Sequence, residues 1–263
     1  MKNTRLYIVE GLPCSGKSST AKFIAEKTGG TLFDEGCGDH PADWEFHAFI
    51  PDTAAEFTAQ ERAELNILSE RLPGGIVVPL NTVSGALADK AMKYKIYDCL
   101  EWEAERPAML AKWRRFAENA RQDSLYVFNC VLLQNPMCET MMRFDLSPEQ
   151  SLGYIREICD IISPLEPMIV YLRNSDIETS IKAALSERGQ DWLNAVVDYH
   201  CSGGYGRANG LSGFDGYIRA LEERQRRELS FLPQLPVRSV VIDDPQKDWD
   251  SALQRISDII SAN

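Results

Sequence analysis

The chain has 263 residues, of which 44% are hydrophobic and 25% are charged, as in a globular protein that buries its core without disulfides or metals. Its formal net charge of −11 argues against a nonspecific nucleic-acid binder and against docking on anionic membranes, because both need a basic surface. The seven cysteines are scattered without a C-x-x-C pair, and no apolar run approaches the roughly 18 residues of a membrane helix. We therefore expect a cytoplasmic protein with reduced thiols and neither nucleic-acid nor membrane partners.

Short apolar runs alternate with helix-like segments along the chain. In chain order, strands are predicted at 6–10, 31–36, 75–80, 94–99, 125–133, 168–173 and 238–243. Helices are predicted at 18–30, 53–72 (as one or two helices), 106–122, 147–165, 176–189, 217–232 and 248–262. This alternation predicts an α/β fold with a parallel sheet of about five strands and helices on both faces. We expect a single domain over 1–263, with a substrate-side insertion at 36–104.

The stretch GLPCSGKS at 11–18 matches the Walker A pattern G-x-x-x-x-G-K-S in full, between a predicted strand and a predicted helix. Gly11 and Gly16 let the main chain curl so that successive N–H groups point at phosphate oxygens. We expect Lys17 to reach the β- and γ-phosphates of ATP and the Ser18 hydroxyl to bind Mg²⁺. A Gly/Ser-rich turn that only joins strand to helix is the alternative. The predicted nucleotide-binding residues are Gly11, Pro13, Cys14, Ser15, Gly16, Lys17, Ser18 and Ser19.

Three runs of sequence resemble thymidylate kinases and deoxynucleoside kinases. They are YIVEGLPCSGKSSTAKFIAEKTGG, IVYLRNSDIETSIKAALSERGQDW and YIRALEERQRRELSFLPQLPVRSVVID, at the two ends of the chain. In the middle, DEGCGDHPADWEFHAF and FNCVLLQNPMCETMMRFD resemble a group of bacterial P-loop proteins without an assigned activity. The resemblance implies a three-layer P-loop NTPase fold with a lid, and a kinase that uses ATP and Mg²⁺.

The resemblance also implies a catalytic carboxylate at the end of the second strand. Asp34 and Glu35 occupy that place, where the carboxyl ends of parallel strands face the ligand crevice. Glu35 is our first choice as general base for the substrate hydroxyl, with Asp34 and Asp39 as alternatives that would contact the substrate. The alternative is that one of these carboxylates only caps the following turn.

The end of the third strand departs from the pattern of those kinases, which carry an acidic residue followed by arginine. Asn129 and Cys130 stand there instead, so one anionic contact of a standard nucleotide substrate is unaccounted for. Asn129 can still order Mg²⁺-bound water. Gln134 can read hydroxyls or amides of a substrate, or only cap the turn before Pro136.

A glycine-rich segment at 188–216 is the expected lid, because a kinase must exclude water from the transferring phosphoryl group. Its six glycines between 203 and 216 predict flexibility, and Arg188 and Arg207 are expected to close on the phosphates. A surface loop with solvated arginines is the alternative. Arg224 on the next helix can point at phosphate, although interleaved glutamates also suit a salt-bridged exposed face.

The run DHPADWEFHAF follows the second strand and carries two of the three histidines. We interpret Asp39, His40 and Trp44 as a substrate-recognition loop in which the aromatic ring stacks on a flat group. The alternatives are aromatic packing of the insertion onto the core, or a metal site, although H-x₆-H is not a recognised metal pattern.

Together these features predict ATP-dependent transfer of a phosphoryl group to a hydroxyl or phosphate of a small, nucleoside- or nucleotide-like molecule. An antibiotic kinase, a nucleotide-dependent switch acting on a protein partner, and a binding protein without turnover are the alternatives. Neither a strand ending in a Walker B aspartate nor an N-K-x-D guanine motif supports the switch. A homodimer is possible.

Overall fold

The computed structural model describes residues 4–262. Its strands are β1 (Leu6–Gly11), β2 (Thr31–Phe33), β3 (His47–Pro51), β4 (Glu70–Leu72), β5 (Gly75–Pro79), β6 (Tyr126–Asn129), β7 (Met168–Arg173) and β8 (Arg238–Asp243). Its α-helices are α1 (Lys17–Thr28), α2 (Ala59–Leu68), α3 (Gly85–Met92), α4 (Trp102–Asn119), α5 (Gln134–Met137), α6 (Pro148–Ile162), α7 (Ile177–Arg188), α8 (Gln190–Cys201), α9 (Gly204–Ala208), α10 (Gly213–Phe231) and α11 (Trp249–Ser261). The chain divides into two compact units, a P-loop unit (Met1–Glu35 with Ala120–Asn263) and an inserted unit (Gly36–Asn119).

The P-loop unit is built on a five-stranded parallel sheet in the order β2-β6-β1-β7-β8. All six residues of the central strand β1 are buried, which is why its sequence reads as a nearly continuous apolar run. Alternate residues face opposite layers: Val170 packs in the core with α1 and α11, whereas the Tyr171 hydroxyl donates to Glu228 of α10 over 2.6 Å. The predicted parallel sheet with helices on both faces is confirmed.

The strand order places a crevice at the carboxyl end of the sheet. From β1 the chain crosses to β2 on one side, whereas from the neighbouring β7 it crosses to β8 on the other. Such a switch point leaves room for a ligand beyond the carboxyl ends of the strands. The segments that follow β1, β7 and β8 all border this region.

Several helices of the P-loop unit begin and end at residues that the sequence marks. Ser147 and Gln150 form a reciprocal capping box at the start of α6, directly before Pro148. The Asp176 side chain accepts from the Thr179 N–H and so caps α7. Gly29 ends α1 in the left-handed conformation at φ 69°.

The expected lid is helical over most of its length. The segment 188–216 contains α8, α9 and the first turn of α10. Two of its glycines allow close packing, because a Cβ on Gly203 would lie 2.2 Å from the Met142 carbonyl oxygen and one on Gly206 would lie 2.1 Å from the Cys201 carbonyl oxygen. Gly210 and Gly213 instead have open space at the Cβ position and adopt a positive φ.

The inserted unit has a core of its own, which differs from the expected single domain with an insertion at 36–104. Its antiparallel sheet has the order β3-β5-β4, and it extends through α4 to Asn119. The core residues include Ala48, Ile50, Leu65, Ile76 and Val78.

Two local predictions in the inserted unit are wrong. The predicted helix over 53–72 ends at Leu68, because Glu70–Leu72 turns at Pro73-Gly74 and pairs with β5. The predicted strand at 94–99 is a series of turns with one isolated bridge, Ala48 to Lys95. In neither unit does a helix within residues 4–262 have the length and apolar character to cross a bilayer.

Candidate active site

The Walker A segment forms a tight turn between β1 and α1. Gly11 and Gly16 adopt φ 148° and 94°, and a Cβ on Gly16 would lie 2.4 Å from the Trp249 ring, so only glycine fits. Cys14 also has a positive φ of 63°. The Lys17 ammonium is buried inside the turn and donates to the Leu12 carbonyl over 3.0 Å.

The N-terminus of α1 gives this turn its capacity to bind anions. The N–H groups of the first helical turn have no acceptor within the helix, and the helix dipole adds positive potential at the same place. Ser18 and Ser19 are exposed there, whereas Ser15 is buried in the turn. These features bring the predicted residues 11–19 together in a cradle that suits a chain of phosphates.

The register of the sheet brings Asp34 and Asn129 beside the Walker A turn. Val9 of β1 pairs with Asn129, and Phe33 pairs with Phe128, so Asp34 leaves β2 next to the end of β6. The Asn129 side-chain N–H₂ donates to the Ser18 hydroxyl over 3.1 Å and to the Asp34 carboxylate. The Asn129 Oδ1 is buried and has no hydrogen-bond partner. This oxygen-rich corner can hold a hard cation such as Mg²⁺.

Glu35 is held by two uncharged donors at the end of β6. The Gln134 Nε2 donates to Glu35 Oε1 over 2.7 Å, and the Cys130 thiol donates to Oε2 over 3.3 Å. Burial raises the pKa of the Cys130 thiol well above its usual value, so the thiol keeps its proton and stays a donor. Cys130 also adopts φ 54°, a conformation that costs free energy for a residue with a side chain. The Glu35 carboxylate itself is exposed and open to a ligand.

A cavity of about 180 Å³, which we call the β7–β8 pocket, lies on the other side of the Walker A turn, where β7 and β8 end. Gln246 joins its wall to the turn by donating to the Cys14 carbonyl over 2.5 Å. Asp244 accepts from both the main-chain N–H and the hydroxyl of Ser175, which fixes the opposite wall. The lining residues are Cys14, Ser15, Arg173, Asn174, Asp176, Thr179, Ser180, Asp244, Pro245, Gln246 and Lys247.

The three arginines predicted to contact phosphate lie in different surroundings. Arg188 ends α7, and its guanidinium group lies over the Trp192 ring. Burial raises the pKa of Cys14 in the Walker A turn, and the positive charge of Arg188 acts in the opposite direction. Arg207 is exposed on α9 and donates to the Ser202 carbonyl. Arg224 is 1% exposed and donates to Glu228 over 2.6 Å. Contrary to expectation, Arg224 is therefore a buried partner of Glu228 and does not point at a phosphate site.

Asp39, His40 and Trp44 belong to the inserted unit. Trp44 is 2% exposed, its indole N–H donates to the Ala108 carbonyl over 3.0 Å, and Lys112 lies over its ring. The expected stacking on a substrate is therefore corrected: this ring packs the interior of the inserted unit. His40 is also buried, and its Nδ1 accepts from the Ala42 N–H. Across residues 4–262, no group of three or more His, Cys, Asp and Glu side chains is placed to bind a metal.

Comparison with known proteins gives structural likeness only. No protein-family model matches the chain, and no curated protein matches it. Among solved structures, it is similar to deoxyadenosine kinase from M. mycoides with bound dATP, at 15% identity over 97% of this chain and 99% of that chain, with a TM-score of 0.45. It is similar to thymidylate kinase from Candida albicans at 13% identity over 99% and 92% of the two chains, with a TM-score of 0.46. A sugar kinase from Janibacter sp. matches at 14% identity over 96% and 92%, with a TM-score of 0.41.

Sequence reasoning missed two residues of this site. Cys130 was noted only as the place of a missing arginine, yet its thiol contacts Glu35. The sequence pattern places Glu10 in an apolar strand, yet its buried carboxylate accepts hydrogen bonds from the main-chain N–H groups of Leu132, Leu133 and Gln134. The signal for Glu10 was present, because a carboxylate inside an otherwise apolar central strand must find hydrogen-bond donors.

Proposed function

We propose that the protein transfers the γ-phosphoryl group of ATP to a hydroxyl group of a small molecule. The observation that carries this proposal is the pairing of two features at one sheet edge: a phosphate-binding turn at Lys17, and a carboxylate, Glu35, oriented by Gln134 and Cys130. A nucleotide-binding ATPase needs the first feature, whereas transfer to an acceptor hydroxyl also needs a base for its proton.

The nucleotide would lie across the Walker A turn. Its phosphates would contact the N–H groups at the start of α1 and the Lys17 ammonium. Its base would lie in the β7–β8 pocket, whose volume of about 180 Å³ suits a planar purine base better than a whole drug-sized ligand. Arg188, whose charge acts on Cys14, would be the arginine that contacts the phosphates.

Ser18, Asp34 and Asn129 are the residues that would hold Mg²⁺. The buried Asn129 Oδ1 without a partner supports this assignment, because an unsatisfied acceptor in a polar corner is where a cation or its water fits. The ion would neutralise negative charge on the phosphate oxygens. Asn129 would fix the orientation of both oxygen ligands through its hydrogen bonds to Ser18 and Asp34.

Glu35 would act as general base. It would accept the proton of the acceptor hydroxyl as that oxygen forms a bond to the γ-phosphorus. The bond between the γ-phosphorus and the oxygen bridging to the β-phosphate would break, and ADP would leave with the electron pair. Lys17 would stabilise the charge that develops on the phosphate oxygens.

The acceptor class is a nucleoside, a nucleotide or another hydroxyl compound such as an aminoglycoside. The test measures acceptor-stimulated ADP release across these classes, together with calorimetric binding of ATP in the presence of Mg²⁺. We expect Lys17→Ala to lose ATP binding. We expect Glu35→Gln to keep ATP binding and to lose acceptor-stimulated ADP release by about 10²- to 10⁴-fold. Full turnover in Glu35→Gln, or ATP binding untouched by Lys17→Ala, contradicts the proposal.

A further inference from the structure

The buried carboxylate of Glu10 and the exposed carboxylate of Glu35 contact the same short segment, residues 130–134, which we call the 130–134 turn. Glu10 Oε1 accepts from the N–H groups of Leu132 and Leu133 over 2.7 and 2.8 Å. Glu10 Oε2 accepts from the Gln134 N–H over 3.1 Å. The donors on Glu35 are the side chains at the two ends of this turn, Cys130 and Gln134.

We propose that Glu10 is a positioning residue for Glu35, acting through the 130–134 turn. The inference rests on the proposed role of Glu35 as general base. Gln134 is the direct link, because its main-chain N–H is held by Glu10 while its side-chain amide holds Glu35. Cys130 is fixed at the other end, where its N–H donates to the Val9 carbonyl, one residue before Glu10.

The chemistry of the turn requires a carboxylate at Glu10. Three N–H groups converge on one side chain, and an ionised carboxylate is the side chain that accepts at both ends and donates at neither. Glutamine would place an N–H₂ group against a main-chain N–H. Glu10 is fully buried, and burial together with the nearby Glu228 raises its pKa to about 7 while the three donors oppose the rise. Burying a carboxylate is costly without such donors, and the three hydrogen bonds tie Glu10 to the turn that carries the donors of Glu35.

The strained backbone of the turn supports the same reading. Cys130 adopts φ 54° although it carries a side chain. Such a conformation persists only where neighbouring contacts fix it. Here those contacts are the hydrogen bond from the Cys130 N–H to the Val9 carbonyl at the start of the turn and the hydrogen bonds to the Glu10 carboxylate at its end. Without Glu10, the turn can relax and withdraw both donors from Glu35.

The experiment compares Glu10→Gln with Ser147→Ala. Ser147→Ala removes the cap of α6 and so lowers stability without touching the turn. We expect Glu10→Gln to speed hydrogen exchange of the Leu132, Leu133 and Gln134 amides and to lower kcat for acceptor-stimulated ADP release about 10- to 100-fold, with KM for ATP within about threefold. Ser147→Ala should leave kcat unchanged at temperatures where it is folded, and it should speed the exchange of these amides no more than that of other core amides in the P-loop unit.

A double variant separates positioning from general destabilisation. In a Glu35→Gln background, Glu10→Gln should lower kcat no further, because the base it positions is already absent. A second, independent loss in that background overturns the proposal. So does faster amide exchange with unchanged kcat, since Glu10 would then only stabilise the fold.

A readout without turnover distinguishes this inference from the proposed function. The ¹³C chemical shift of the Glu35 carboxyl, measured by NMR at one fixed pH, should differ between Glu10→Gln and the wild type even if no acceptor is ever found. A Glu35 carboxyl signal identical to that of the wild type overturns the positioning role whatever the activity. Should Glu10→Gln fail to fold, Glu10→Asp retains the charge, withdraws it by one methylene group and is expected to shift the same signal.

Discussion

The side-chain amide of Asn129 donates to the hydroxyl of Ser18 over 3.1 Å and so links the end of β6 to the first turn of α1. The same amide also donates to Asp34 at the end of β2. One neutral residue thus joins the Walker A turn to Asp34, the second of the proposed cation ligands. Its position follows from the register of the sheet, in which Asn129 lies opposite Val9.

Replacing Asn129 by alanine should weaken the use of Mg²⁺. Ser18 and Asp34 would lose their shared donor, so we expect the Mg²⁺ concentration for half-maximal ADP release to rise and kcat to fall about tenfold, at a stability cost of about 1 kcal/mol. The measurement is ADP release against Mg²⁺ concentration. Asn119→Ala is the control, because its amide donates only to the Arg115 carbonyl on an exposed surface. An Mg²⁺ requirement equal to that of the wild type contradicts the proposed role.

Arg224 should prove essential for stability rather than for phosphate binding. Its pair with Glu228 is 1% and 0% exposed, and Arg224→Met would leave a buried carboxylate without its cation at a cost of about 3–5 kcal/mol. Arg226→Met, on the same helix, breaks an exposed pair with Glu223 and should cost less than about 1 kcal/mol. Urea unfolding followed by circular dichroism measures both. If Arg224→Met instead lowered ATP affinity at unchanged stability, the sequence-based prediction that Arg224 contacts phosphate would be supported.

A contact can be predicted from the sequence when the residues that form it are close together in the chain. The Walker A turn is local: its glycines, lysine and serines are adjacent in the chain and between a strand and a helix, so their pattern alone predicts their arrangement. Asp34 was also predictable, because the end of a parallel strand faces the crevice. The contact between Glu35 and Gln134 was not, since it depends on a separation of 99 residues and on the register of β2 against β6.

Arg224 and Gly206 show how much a sequence pattern leaves undecided. Interleaved Arg and Glu residues are typical of an exposed helix face. Here the pair of Arg224 and Glu228 is buried, whereas the Arg226 side chain, paired with Glu223, is exposed. A glycine can make the chain flexible or can let two main-chain segments come into close contact, and the neighbouring backbone decides which of the two applies. For Gly206 that neighbour is the Cys201 carbonyl, five residues earlier.

Alanine at Gly206 and at Gly153 should therefore have opposite effects. A Cβ on Gly206 would lie 2.1 Å from the Cys201 carbonyl oxygen, so the main chain would have to move, and we expect a loss of about 2 kcal/mol or more. Gly153 lies within α6 with nothing within 4 Å of its Cβ position, so alanine there should stabilise the protein by about 0.5–1 kcal/mol. Thermal unfolding measures both changes. A neutral Gly206→Ala would instead support the flexible lid.

His200 should make stability depend on pH. It is buried against Tyr217 with ring centroids 5.1 Å apart, its Nδ1 has no hydrogen-bond partner, and burial together with the Arg224 charge lowers its pKa to about 3. The native state therefore keeps this imidazole neutral while the unfolded chain takes up a proton below pH 6.5, so the free energy of unfolding falls as the pH drops. Between pH 8 and pH 5 this single group should remove about 2 kcal/mol of stability. His200→Phe keeps an aromatic ring against Tyr217 but cannot titrate, and urea unfolding at the two pH values should show a correspondingly smaller loss in the variant. All other titrating groups are common to both proteins, so parallel losses would mean that His200 accepts a proton in the native state.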